Sequence, residues 1–291
     1  MKRLLILSTL ALGTLAHAQS EIAFYTDLRP SLLYEKESKW VFRWSNPNGQ
    51  PSLVGFRIKL ENGNRILINQ RFQRMPGSGD PDSIHEWWIE DTGVWRVGKQ
   101  VIPFGTRNLI NSTVPAARVD TRLLVEDLPI VFAVCDFGES RTRGIVFRIG
   151  DERAGFSVAS GDHFGIQSTD LTPLQLPSEG LGKGRGWETA WGFDFTINAA
   201  SATIKAEWLS LRGGETPADE NRDISDVKAI FVLPDSQDTL SFGWAHGWDN
   251  RVDLMRLEGD FFIDHKMSYQ PYLRFDGTRL RDLGVTFRVK L

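Results

Sequence analysis

The sequence predicts an all-β protein, a transmembrane antiparallel β-barrel, and three observations carry that expectation. Apolar and polar residues alternate with period 2 over segments of about ten residues, the length that crosses a bilayer at a tilt. Aromatic residues gather near segment ends, as with Trp40, Trp44, Trp187, Trp244 and Trp248, the placement found at the two interfaces of a membrane barrel. The connections tend to alternate between tight and long. A soluble sandwich also alternates, so segment length and terminal aromatics decide the matter. Helical periodicity is hard to find anywhere.

In chain order, residues 1–18 read as a secretory signal: Lys2 and Arg3, an apolar run from Leu4 to Ala16, and Ala16-His17-Ala18 as a small-x-small cleavage pattern. Removing those two basic residues and no acid takes the formal charge from −3 to −5. Residues 19–38 are expected to be an N-terminal periplasmic segment or an extra strand, and 39–291 the barrel. Strands are expected at 39–45, 52–60, 64–72, 84–91, 94–103, 142–150, 153–160, 187–198, 201–211, 224–233, 239–248, 252–262, 267–275 and 279–291. That is about fourteen, within a range of roughly 12–16, and an even number is what such barrels require.

The last segment shows the pattern best. Leu283, Val285, Phe287, Val289 and Leu291 share one face, and Asp282, Gly284, Thr286, Arg288 and Lys290 the other. In 201–211 the alternation lapses at Leu209-Ser210-Leu211, where oily and polar positions change places. The connections 61–63, 92–93, 151–152, 199–200, 234–238 and 263–266 are short and fall on one end, expected to be periplasmic. Most connections at the other end are longer. Residues 104–141 are too long to be passive. They are expected to form one loop folded into the lumen, its apolar stretch from Leu123 to Val134 packed on the barrel wall. The constriction residues on this loop would be Arg107, Arg118, Asp120, Arg122, Glu126 and Asp127.

Residues 94–105, VWRVGKQVIPFG, resemble a segment of outer-membrane porins of the phosphate-selective porin O and P type, in which Pro-Phe-Gly opens the long third loop. Residues 143–165 resemble the hairpin that follows that loop. The chain ends in Leu291 rather than the common terminal aromatic, and it is shorter than the usual sixteen-stranded members. The resemblance implies a porin of the outer membrane of a Gram-negative-type bacterium, passing small hydrophilic solutes, with a homotrimer as the habit of the group.

If the aromatic-rich face meets lipid, the other face lines the lumen. Arg43, Arg57, Lys59, Arg65, Arg71, Arg96 and Arg148 then point inward, and 39–72 carries five of these cations with no inward acid on the same segments. Such a wall attracts anions. In the C-terminal half, inward acids including Asp194, Glu207, Asp226, Glu258 and Asp282 favour the plainer reading that wall arginines pair with wall carboxylates. Lys99 and His246 fall on the lipid face by parity, which suggests a bulge at Gly98 or a rim position. His85 and His163 are expected to do no chemistry.

Other classes find less support. The lone Cys135 excludes a disulfide within the chain and a cysteine-built zinc site, and none of the five histidines stands at ligand spacing to another. No metal, cofactor or nucleic-acid partner is expected. Asp136, Glu139, Asp162 and His163, with Ser140 and Ser160 nearby, form no catalytic motif, and no enzyme is expected. Asp249 and Asp253 could bind a cation, equally without pattern. An exported soluble β-protein using tryptophans to hold carbohydrate, or a barrel enzyme, are the alternatives.

Overall fold

A chain of strands with one apolar and one polar face hides its polar faces and edges from lipid by closing on itself. The computed structural model of the chain does so in one closed antiparallel sheet. It describes residues 21–35, 39–46, 50–72, 84–106, 109, 113–123, 127–136, 143–164, 187–213, 221–249 and 251–291. The expected export signal lies outside them.

The ladder segments are β1 (Glu21–Leu28), β2 (Ser31–Glu35), β3 (Lys39–Arg43), β4 (Leu53–Lys59), β5 (Arg65–Arg71), β6 (Ile84–Asp91), β7 (Trp95–Val101), β8 (Thr113–Arg122) and β9 (Pro129–Asp136). They continue as β10 (Arg143–Gly150), β11 (Ala154–Phe164), β12 (Trp187–Ala199), β13 (Ala202–Arg212), β14 (Arg222–Val232), β15 (Thr239–Gly247), β16 (Val252–Phe262), β17 (Met267–Asp276) and β18 (Arg279–Lys290). From β4 onward each pairs with the next. β1 runs against β4 and β2 against β3, while both meet β18. So β1 and β2 are halves of one stave, interrupted at Arg29-Pro30, and β3 and β4 are halves of the next. The barrel has sixteen staves.

This corrects the expected strand list in three places. Segments 39–45 and 52–60 are one stave, because Ser45 and Pro51 bridge and 44–52 is an excursion inserted into it. The segment expected to be periplasmic or an extra strand supplies the first stave, through β1 and β2. Residues 113–122 and 129–136 are the strands β8 and β9, so the region 104–141 is not one loop. The count rises to the top of the expected range and stays even.

The outer face is apolar along its length, with Phe24, Phe42, Phe56, Phe132, Phe193, Phe195, Phe231, Phe242 and Phe287 all exposed. Rings cluster across strands, as in Phe24–Phe56 at 5.4 Å, Trp44–Phe72 at 4.5 Å and Trp191–Trp208 at 4.6 Å. In water such a surface would be an aggregation hazard; against lipid it is the solvated side. Phe287→Asp places a charge there, where a basic residue costs about 2–4 kcal/mol at mid-bilayer and a carboxylate less. The expected result is less heat-modifiable barrel in the membrane fraction, and an unchanged yield would mean that the face meets something other than lipid.

Candidate functional site

Register carries the inner face around the barrel in two tiers. Nearer the long-loop end stand Val114 and Ala116 on β8, Ala133 and Cys135 on β9, Val146 on β10, Ala159 on β11 and Ala190 on β12. Leu209 and Leu211 on β13, Ile224 on β14, Ala245 on β15 and Leu254 on β16 continue the tier. All are buried, and they form one contact cluster with Ile102, Phe104 and Leu109. Apolar side chains facing a lumen are stable only if something covers them, and the segment after β7 turns inward to do so. Alanine on five of these strands leaves room for it. The ladder runs through Leu209-Ser210-Leu211 without a register shift, so the lapse in alternation marks wall covered by chain. Cys135 takes part in this packing.

The inturned segment is held by two wall residues. Gly105 N donates to Ser157 Oγ on β11 at 3.0 Å. Thr106 Oγ1 donates to Glu207 Oε2 on β13 at 2.7 Å, and Leu109 N reaches the same oxygen at 3.4 Å. The Pro-Phe-Gly sequence now has a mechanical reading. Phe104 is fully buried, and Gly105 turns the chain at φ +52°. A Cβ on Gly105 would stand 1.9 Å from Glu207 Oε1, so only glycine allows that approach.

The residues expected on a 104–141 loop are therefore not together. Arg118 and Asp120 lie on strand β8 and pair with each other at 2.5 and 2.8 Å. Arg122 and Asp127 are exposed and paired at the opposite end, where 123–128 joins β8 to β9. Arg107 and Glu126 lie outside the described residues. The missed signal is that β9, and β8 as far as Val114 and Ala116, are apolar on both faces, lipid on one side and the inturned segment on the other.

Below the apolar tier the wall is charged and largely self-neutralised. Arg148 pairs with Asp194, Arg256 with Asp226, and Lys228 with Glu258 at 2.5 Å. Arg274 meets Asp282 through two hydrogen bonds of 2.6 Å, and Asp27 accepts from both Arg288 and Arg29. Arg96 is held by Glu90 at 2.5 Å and lies over the Trp88 ring at 4.2 Å.

On the early staves the picture differs. Arg43, Arg57, Lys59, Arg65 and Arg71 all occupy inward positions, since Phe42, Phe56 and Ile68 on the same strands face out. Arg71 is buried, its Nε 3.3 Å from His85 Nδ1. Arg57 lies over the Tyr25 ring at 4.5 Å. Arg57, Lys59 and Arg65 are exposed to the interior, and no ion pair reaches them among the described residues. Lys59 and Arg65 are direct cross-strand partners, an arrangement that like charges disfavour. Glu21 stands across β1 from Lys59 without bonding to it, and Glu86 is engaged by Asn69 and Trp88. These β1 and β6 acids temper the wall. Lys205, at the 200–201 end of β13, is exposed and outside the pairing.

Lys99 keeps outward parity opposite Trp87 but is buried, its Nζ donating to the Ile84 carbonyl at 2.9 Å near the long-loop end. Gly98 beside it has φ +129° without shifting the ladder. His246 sits between Trp244 and Trp248, with Nδ1 2.9 Å from Asp253 Oδ1 at the same end. Both outward polar groups are thus at the rim. Asp253 also accepts from Trp244 Nε1, and Asp249 accepts from Asp223 N, so each carboxylate is already in use. The side chains of Asp162 and His163, and residues Glu139 and Ser140, lie outside the described set.

No family model and no curated relative matches the chain. Among solved structures it is similar to the outer-membrane channel DcaP of Acinetobacter baumannii, with a TM-score of 0.56, 11% identity and coverage of 94% of this chain and 97% of that one. It is similar to Salmonella typhi OmpF, solved with daunomycin, at a TM-score of 0.61 and 7% identity over 93% and 97% of the two chains. A porin of Rhodopseudomonas blastica, solved as a triple mutant, gives 0.55 and 11% over 93% and 100%. At these identities the likeness concerns the fold.

Proposed function

We propose that the chain forms an outer-membrane diffusion channel for small hydrophilic solutes that leans toward anions, exported by the signal at 1–18. The observation that carries the anion preference is the exposed trio Arg57, Lys59 and Arg65, set against a far wall whose charges, Lys205 apart, are largely tied in pairs. Because the apolar tier from β8 to β16 is covered, the wet passage runs along the early staves, where these cations stand. Charge focused beside low-dielectric walls biases ion traffic, and salt screens that bias. Porin architecture in the neighbours supports the channel; the phosphate-selective type is a narrower claim than the trio supports. A homotrimer would place β5–β7, seven or eight residues long and shorter than the roughly 9–11 that span a bilayer, against a neighbouring copy.

The test is reversal potential across a salt gradient in planar bilayers. Wild type is expected to prefer anions at low salt, with the preference fading as salt rises. Arg57→Glu with Arg65→Glu is expected to move the reversal potential toward cations. A cation-selective wild type, or indifference to both substitutions, would overturn the assignment. The carbohydrate-binding alternative predicts instead a protein that stays in solution without detergent.

A further inference from the structure

Three wall ion pairs bridge alternate strands, Lys228 with Glu258 across β15 among them, and the two formed by arginine share a further feature. Arg148 on β10 reaches Asp194 on β12, and Arg256 on β16 reaches Asp226 on β14, so each pair strides over one whole intervening strand. Where the stride crosses, the strand beneath carries glycine. Gly155 on β11 is the cross-strand partner of Asp194, and Gly243 on β15 is the partner of Arg256. A Cβ on Gly155 would stand 2.4 Å from Arg148 Nη2 and 2.6 Å from its Cζ. On Gly243 it would stand 2.7 Å from Arg256 Nε and Nη2. Neither glycine has a positive φ, so the backbone does not require them there. What requires them is the guanidinium lying flat on the wall.

Resting on the channel reading, we propose that Gly155 and Gly243 are positioning residues that keep Arg148 and Arg256 folded across the strand and out of the passage. The chemistry favours displacement over collapse. The three atoms nearest a methyl group at either site all belong to the far end of a flexible side chain, so the arginine can swing inward while the ladder stays intact. By contrast, a Cβ at Gly192 would meet the Trp208 carbonyl oxygen at 2.3 Å, a backbone atom that cannot give way. A displaced guanidinium would narrow the lumen and add a free cation to it. The paired wall therefore presents no protruding guanidinium at these two positions because its glycines permit the pairs to lie down.

Phenylglyoxal labelling of the folded, detergent-solubilised barrel, read by mass spectrometry, reports the arginines directly. In wild type both should be protected, the Arg256 side chain being 5% and Arg148 13% exposed. Gly243→Ala is expected to open Arg256 alone to reagent, and Gly155→Ala to open Arg148 alone. In bilayers each variant should lose unit conductance, with the reversal potential moving toward anions. Arg256→Gln should abolish the effect of Gly243→Ala on both readouts. Unchanged labelling in a heat-modifiable barrel would overturn the proposal, as would an equal Gly243→Ala effect in the Arg256→Gln background. Loss of assembly in both glycine variants would also overturn it, since a side-chain clash alone would not block the ladder. A wild type that labels as expected but does not conduct would strike the channel reading and leave this one standing.

Discussion

Replacing Phe104 by alanine is expected to release the inturned segment and raise single-channel conductance while leaving the amount of folded barrel unchanged. Phe104 is fully buried and is the largest side chain that the segment commits to the apolar tier. Large-to-small changes at such sites cost about 3–5 kcal/mol. Here the loss falls on docking, because the staves keep all their ladder hydrogen bonds. Glu207→Ala attacks the same contact from the wall side. It removes the acceptor for Thr106 Oγ1 and Leu109 N, and hydrogen bonds to charged groups contribute about 1.5–3 kcal/mol each. Both variants should conduct more and fluctuate more than wild type in single-channel records. Equal conductance in all three would mean that the inturned segment does not set the width of the passage.

Arg274→Met is expected to have the largest effect on assembly. Arg274 and Asp282 are both nearly buried and joined by two hydrogen bonds of 2.6 Å between the last two strands. Removing one member of a buried pair costs about 3–5 kcal/mol where the other charge is left unpaired, while replacing both with apolar groups can be neutral. Among the described residues, Asp282 would keep only Arg281 Nε, at 3.9 Å. Heat-modifiable barrel should therefore fall in Arg274→Met and recover in the double variant Arg274→Leu with Asp282→Leu. An equal loss in single and double variants would show that the pair does more than neutralise itself.

The strands that were legible in the sequence are those with lipid on one side and water or charge on the other. In β18, Phe287 faces out and Arg288 faces in, and the alternation reads cleanly. β9 does not announce itself because Ile130, Phe132 and Val134 face out while Val131, Ala133 and Cys135 face in. A strand covered on both faces reads as a continuous apolar run. β1 hides for a related reason, since Ala23 and Tyr25 occupy inward positions between Ile22, Phe24 and Thr26. Missing β1 also removed Glu21 and Asp27 from view, and with them the acids that temper the early wall. The Pro-Phe-Gly motif marks where the chain leaves β7, but the reach of the segment depends on contacts with Ser157 and Glu207, which are distant in sequence. Pairings such as Arg256 with Asp226 were open as a possibility, but their stride over Gly243 depends on three strands being in register at once.

The join between the first stave and β18 differs in kind from every other seam of the barrel. Neighbours elsewhere are consecutive in the chain, whereas Ser31 Oγ and Thr286 Oγ1 meet at 2.7 Å from positions 255 residues apart. Phe287 N closes onto the Pro30 carbonyl at 2.9 Å, and Arg288 onto Asp27. Lengthening a loop adds only about 0.6 kcal/mol per doubling, so distance along the chain is a minor obstacle. Timing is the greater one. Until residues 282–290 have emerged and reached 27–35, the growing sheet carries two raw borders whose amide and carbonyl groups can neither enter hydrocarbon nor remain safely in water. The polypeptide must therefore be escorted whole, and its final dozen residues act as the zip that ends its exposure.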